Sequence, residues 1–81
     1  MKKTIWTLEH DWLCKHLKEI REGRGLTQKN VADNLDRPQS FVSKYESGDR
    51  RLDLAELRDV CLALGISLSE VVERFEKGYP K

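Results

Sequence analysis

Residues 26–48, LTQKNVADNLDRPQSFVSKYESG, carry two apolar runs at helical spacing with almost nothing between them, and that closeness constrains the fold more than any other feature of the chain. The Thr27 hydroxyl can accept from orphan backbone N–H groups, which predicts a helix start there, with Val31, Ala32 and Leu35 on its inward face. A turn has to follow at once. Asn34, Asp36 and Pro38 supply it: Asn and Asp tolerate left-handed backbone, and proline suits the first position of a helix, where its missing N–H costs nothing. The second helix then runs to Ser47 and stops at Gly48. Phe41 or Val42 with Tyr45 forms its inward face, which leaves Gln39, Ser40, Ser43, Lys44 and Ser47 facing outward.

The segment resembles the helix-turn-helix of the Xre family, which includes Cro and the lambdoid phage repressors. The likeness lies in Leu26-Thr27-Gln28, in Ala32 four residues after Gln28, in Leu35 before the turn, in Val42-Ser43-Lys44 and in the exit Glu46-Ser47-Gly48. It implies a DNA-reading unit whose two helices cross closely at the small Ala32. Asp36 departs from the pattern, because the family usually has Gly there and Asp reaches left-handed backbone at some cost.

The remaining helices support the same architecture. Leu8, Trp12, Leu13, Leu17 and Ile20 mark one face of a helix from about Thr7 or Leu8 to Glu22, ended by Gly23 and Gly25. Asp53-Leu54-Ala55-Glu56 and Ser67-Leu68-Ser69-Glu70 both read as capping boxes. Leu57, Val60, Cys61 and Leu64 point inward after the first box, and Leu68, Val71, Val72 and Phe75 after the second. No alternating strand pattern, repeat or linker interrupts them, and 81 residues hold one small domain. The resemblance covers roughly residues 17–75, leaving the first sixteen as an N-terminal extension and the start of helix 1. It implies an all-α, compact five-helix bundle of the lambda-repressor-like DNA-binding type, with the helix-turn-helix as helices 2 and 3.

Composition excludes several classes. The run from Trp6 to Cys14 is too short and too charged for a membrane span or signal sequence, which predicts a cytoplasmic protein with no membrane partner. Cys14 and Cys61 lack a CxxC pairing or a His at ligand spacing, so no metal site and no cofactor is expected. Cys61 reads as a small buried residue, Cys14 as partly exposed, and His10 and His16 as solvated helix-surface residues. The formal charge of +1 is not that of a non-specific nucleic-acid binder, but it is divided: 11 Lys or Arg against 8 Asp or Glu up to Arg51, then 4 against 6. No nucleophile–base pair or phosphate-cradling glycine loop is present, so an enzyme is not expected.

The resemblance assigns roles residue by residue. Gln39, Ser40, Ser43 and Lys44 match base-contacting positions. Their chemistry suits the task, since Gln pairs with adenine, Ser reads several bases and Lys donates to guanine O6 and N7. Gln28 matches a phosphate-contacting position at the start of the supporting helix, while Arg37 in the turn and Arg50 and Arg51 in the following loop are placed to flank a duplex. Arg21 and Glu46 match an ion pair tying helix 1 to the recognition helix, which makes Glu46 structural. Dimerisation through the last two helices is implied, with Leu64, Ile66, Leu68 and Val72 as interface candidates, although the same pattern serves equally as intramolecular core. Ile5, Trp6 and Trp12 either pack on the domain or extend a dimer contact.

These readings converge on a homodimeric transcriptional regulator, a repressor by simple occlusion, that binds a palindromic operator in double-stranded DNA. Phage repressor, restriction-modification controller and antitoxin roles are all compatible with it. The alternative is a protein-interaction adaptor or antitoxin-like module whose main contact is a toxin or other partner protein.

Overall fold

The computed structural model describes residues 7–78, and Ile5 and Trp6 lie outside them. Among the described residues the elements are five α-helices: α1 (Leu8–Gly23), α2 (Gln28–Leu35), α3 (Gln39–Ser47), α4 (Leu54–Leu64) and α5 (Leu68–Gly78). None is long and apolar enough to cross a membrane.

Side-chain caps set the helix starts. Thr7 Oγ1 accepts from His10 N at 3.1 Å. Thr27 and Asn30 cap each other reciprocally, through Asn30 N to Thr27 Oγ1 at 3.0 Å and Thr27 N to Asn30 Oδ1 at 2.9 Å. Asp53 and Glu56 do the same on α4, whereas Ser67 Oγ accepts from Glu70 N and the Glu70 carboxylate turns to Arg74. Pro38 precedes α3 in extended backbone and gives it no side-chain cap.

The first four helices all end the same way. One backbone N–H reaches three residues back and the next reaches five back, the Schellman arrangement: Gly25 to Glu22 and Leu26 to Arg21, Asp36 to Asp33 and Arg37 to Ala32, Gly48 to Tyr45 and Asp49 to Lys44, Gly65 to Leu62 and Ile66 to Cys61. The pivot must have positive φ. Glycine supplies it three times, and Asp36, at φ 58° and ψ 44°, supplies it between α2 and α3 as the one non-glycine with positive φ among the described residues.

The core lies where α1, α2, α3 and α4 meet, and α5 closes it with Val71. Leu17, Ile20, Val31, Ala32, Phe41, Val42, Tyr45, Val60, Cys61, Leu64 and Ile66 are buried around that point. Val31, Val42 and Val60 are fully enclosed, each worth about 1.5–3 kcal/mol against exposure. Ala32 is buried on the inward face of α2 beside Val31. Both Phe41 and Val42 turn inward with Tyr45.

Several expectations change. Leu64 and Ile66 are only 2% and 4% exposed within the single chain, so their side chains belong to its core; Leu68 is half-buried and Val72 is 43% exposed. Leu8 is 73% exposed and lies off the buried face of α1. Cys14 is buried, and burial pushes its thiol up to about 11. Neither histidine is a solvated surface group. His10 is buried with Nε2 3.1 Å from Gly48 O, which ties α1 to the exit of α3. His16 stacks on Trp12 at a centroid distance of 4.6 Å, and Trp12 meets Phe75 of α5 edge-on at 5.5 Å. His10 lies one turn before Cys14 on the buried face of α1, and His16 lies one turn after Trp12.

Candidate nucleic-acid interface

Helix α3 has two unlike faces. Phe41, Val42, Tyr45 and Glu46 are buried, while Gln39, Ser40, Ser43, Lys44 and Ser47 are exposed along the opposite side. The period of 3.6 residues separates the two sets. The exposed residues form a polar row on a helix whose other face is locked into the core.

One hydrogen-bonded chain joins that row to α1 and α2. Arg21 Nε donates to Glu46 Oε2 at 2.7 Å and Arg21 Nη2 to Glu46 Oε1 at 3.1 Å, a two-pronged pair. Arg21 Nη1 donates to Leu26 O at 2.8 Å, so the same guanidinium also braces the α1–α2 connection. Glu46 Oε1 accepts in addition from Gln28 Nε2 at 3.0 Å. Gln28 Oε1 in turn accepts from Gln39 Nε2 at 3.3 Å. The hydrogen bond to Glu46 holds the Arg21 guanidinium above its already high range. A buried carboxylate with three donors therefore orients the glutamine at the head of α2, and that glutamine steadies the one at the head of α3. Gln28 Nε2 carries a second hydrogen and sits in the first turn of α2, where backbone N–H groups and the helix dipole favour an anion.

The arginines divide differently from the sequence expectation. Arg50 Nη1 and Nη2 donate to Glu56 Oε1 and Oε2 at 3.0 and 2.9 Å, and Nη1 also donates to Arg51 O at 2.9 Å. Arg50 is thus paired with the capping-box glutamate of α4 while its side chain stays 37% exposed. Arg37 Nη2 is 3.9 Å from Glu56 Oε2. Both guanidinium carbons sit over the Phe41 ring, at 4.5 Å for Arg37 and 4.7 Å for Arg50. The Arg50 hydrogen bonds, followed by that from Asp53 N–H, hold the Glu56 carboxyl down at about 2. Arg51 is exposed in the loop after α3.

The structure therefore brings together Arg21, Glu46, Gln28 and Gln39, leaves Ser40, Ser43 and Lys44 in the exposed row, and pairs Arg50 with Glu56 beside Arg37. Two functional partners escaped the sequence. Glu56 reads as a helix cap, and nothing in a six-residue loop spacing marks it as the partner of Arg50. His10 carries no spacing signal toward Gly48, 38 residues away. Asn30, the reciprocal cap of Thr27, does carry a legible signal as Asn at the third helical position.

Comparison with known proteins agrees with this geometry. A helix-turn-helix family model matches residues 17–71. An Xre-family-like protein of Pseudomonas syringae pv. tomato superposes with a TM-score of 0.82 at 40% identity, over 89% of this chain and 88% of that one. The control protein C.MunI of a Mycoplasma species is 36% identical over 62 residues, which is 75% of this chain and 84% of that protein. The restriction-modification controller protein C.Esp1396I, in its tetramer bound to its natural 35-base-pair operator, shares the fold, with a TM-score of 0.82 at 24% identity over 94% of this chain and 99% of that one. With the capped two-helix motif, its exposed polar face and these matches in hand, the chain belongs to the Xre family of helix-turn-helix DNA-binding transcriptional regulators.

Proposed function

We propose that the protein is a sequence-specific regulator of restriction-modification controller type, which binds a palindromic operator as a homodimer and represses by occupying a promoter. The exposed row Gln39, Ser40, Ser43 and Lys44 on a helix locked to the core carries this reading. A helix so held can enter the major groove, where the base edges present a distinguishable pattern of donors and acceptors. In this reading Gln39 and Lys44 are the principal base readers, Ser40 and Ser43 assist, and Gln28, Arg37 and Arg51 hold phosphates. The controller assignment is supported by the 36% identity to C.MunI across 84% of that protein's length.

A single α3 spans few base pairs, so useful affinity calls for two copies on a two-fold site. Leu68 and Val72 on α5 are the interface residues of the proposed homodimer, with Leu64 and Ile66 supporting them from the core.

Selection of bound duplexes from a random pool, combined with a solution mass measurement, tests the reading. The expected result is an enriched inverted half-site and a mass of two chains. Absence of any enriched half-site at low salt would overturn it in favour of an adaptor or antitoxin-like module that acts on a partner protein.

A further inference from the structure

Two guanidiniums lie over one aromatic ring of α3 and share one carboxylate. Phe41 belongs to the reading helix, Arg37 to the turn before it, Arg50 to the loop after it and Glu56 to the first turn of α4. Both guanidiniums lie within 5 Å of the ring centroid, yet their bonding is unequal. Arg50 spends both terminal nitrogens on Glu56 and one of them again on Arg51 O, at 2.9 to 3.0 Å throughout. Arg37 reaches the same carboxylate only at 3.9 Å, and its side chain is 44% exposed. Glu56 is itself fixed, because Oε1 also accepts from Asp53 N at 3.0 Å. A carboxylate gripped in this bidentate fashion offers a guanidinium the same fork geometry that a phosphate offers.

We propose that Glu56 acts as an internal substitute for a DNA phosphate, holding Arg50 out of contact with the duplex while leaving Arg37 to make the one phosphate contact of this cluster. The inference rests on the DNA-binding reading above and deepens it, since Glu56 touches no DNA and works as a positioning residue by setting how many phosphates the protein neutralises. Two cations and one anion leave the cluster a single net positive charge. The carboxyl is ionised at every ordinary pH, so the substitution does not switch off under working conditions. The arrangement trades affinity for any sequence against discrimination, because each phosphate contact adds binding energy that does not depend on the bases.

The salt dependence of binding reads this count. On the duplex enriched by selection, Arg37→Ala should flatten the slope of log K against log salt by about one unit. Arg50→Ala should leave the slope as it is. Glu56→Gln keeps a side chain that can still cap Asp53 N–H but loses its charge; it should steepen the slope by about one unit, which corresponds to about fourfold more affinity lost between 50 and 200 mM salt. The double variant Glu56→Gln with Arg50→Ala should return to the original slope, which attributes the added contact to Arg50. A Glu56→Gln slope equal to that of the unaltered protein, or an Arg50→Ala slope flattened by one unit, would overturn the proposal. If the unaltered protein binds no duplex at all, the DNA-binding reading itself fails, and the two failures are distinct.

Discussion

Arg21 and Glu46 stand 25 positions apart, yet their side chains meet in two hydrogen bonds of 2.7 and 3.1 Å. The contact fastens α1 to the far half of α3. Glu46 keeps 3% of its side chain exposed and Arg21 10%, so neither charge could return to water if its partner were lost. Glu46→Ala should therefore destabilise the fold by about 2–3 kcal/mol, somewhat below the cost for a wholly buried pair because Arg21 keeps its bond to Leu26 O. A thermal melt should fall by at least about 10 °C; an unchanged midpoint would show that the pair adds nothing net.

Asp36 supplies the opposite case, a residue at which the native side chain costs stability. It occupies a left-handed pivot that glycine fills at the other three helix exits. Asp36→Gly should raise stability by about 1 kcal/mol, the approximate cost of a side chain in that conformation, and lift the melting midpoint by about 4–8 °C. A lower midpoint would mean that the carboxylate contributes a compensating interaction in the turn.

The Gln39–Gln28 bond joins the proposed base reader to the proposed phosphate contact. Gln39→Ala and Lys44→Ala should each weaken binding to the selected site by about 1–3 kcal/mol while relaxing preference at one base position. Gln28→Ala should weaken all sequences alike and leave the salt slope as it is, because a neutral amide releases no counterion. Competition assays against single-base variants of the site separate the two patterns. Equal losses on every duplex for Gln39→Ala would remove it from base reading.

Protonation of His16 should cost stability. Burial, followed by the nearby Arg74, lowers its folded-state value below 6.5, so the unfolded chain takes up the proton first as the pH falls. Its contribution is fully present above 6.5 and is lost as the pH drops through the depressed folded value. Urea melts from pH 8 to pH 5 should show a loss of stability that is smaller in His16→Gln. Identical pH profiles for the two proteins would exclude His16 as a source.

The thiols should be silent in the native state. Cys61 is wholly enclosed and Cys14 nearly so, and burial raises both above the ordinary thiol value. A chromogenic disulfide reagent should label neither until denaturant is added, after which both react. Rapid labelling of Cys14 in the native protein would reveal local opening of α1.

Some of this architecture depends on neighbours in sequence. Thr27, Asp53 and Ser67 cap helices through residues three positions ahead, and Gly25, Gly48 and Gly65 end them through bonds that close within five residues. Apolar spacing marked Val31, Ala32, Val42, Tyr45, Val60, Cys61 and Val71 as core because helical period converts directly into a face. The Arg21–Glu46 match came from family resemblance, since nothing local joins residues 25 apart. Other features had no such signal. Whether Leu64 and Ile66 faced a partner or the interior depended on where α4 and α5 lie against the rest, and both sides of that choice need the same residues. His10 and His16 became buried because of what packs over α1, and Arg50 lost its freedom to a carboxylate that chain folding carried beneath it. Backbone caps and periodicity act within a few residues and are written in the sequence. Burial at the edge of a helix face, and the choice of ionic partner across a loop, are settled only when the helices meet.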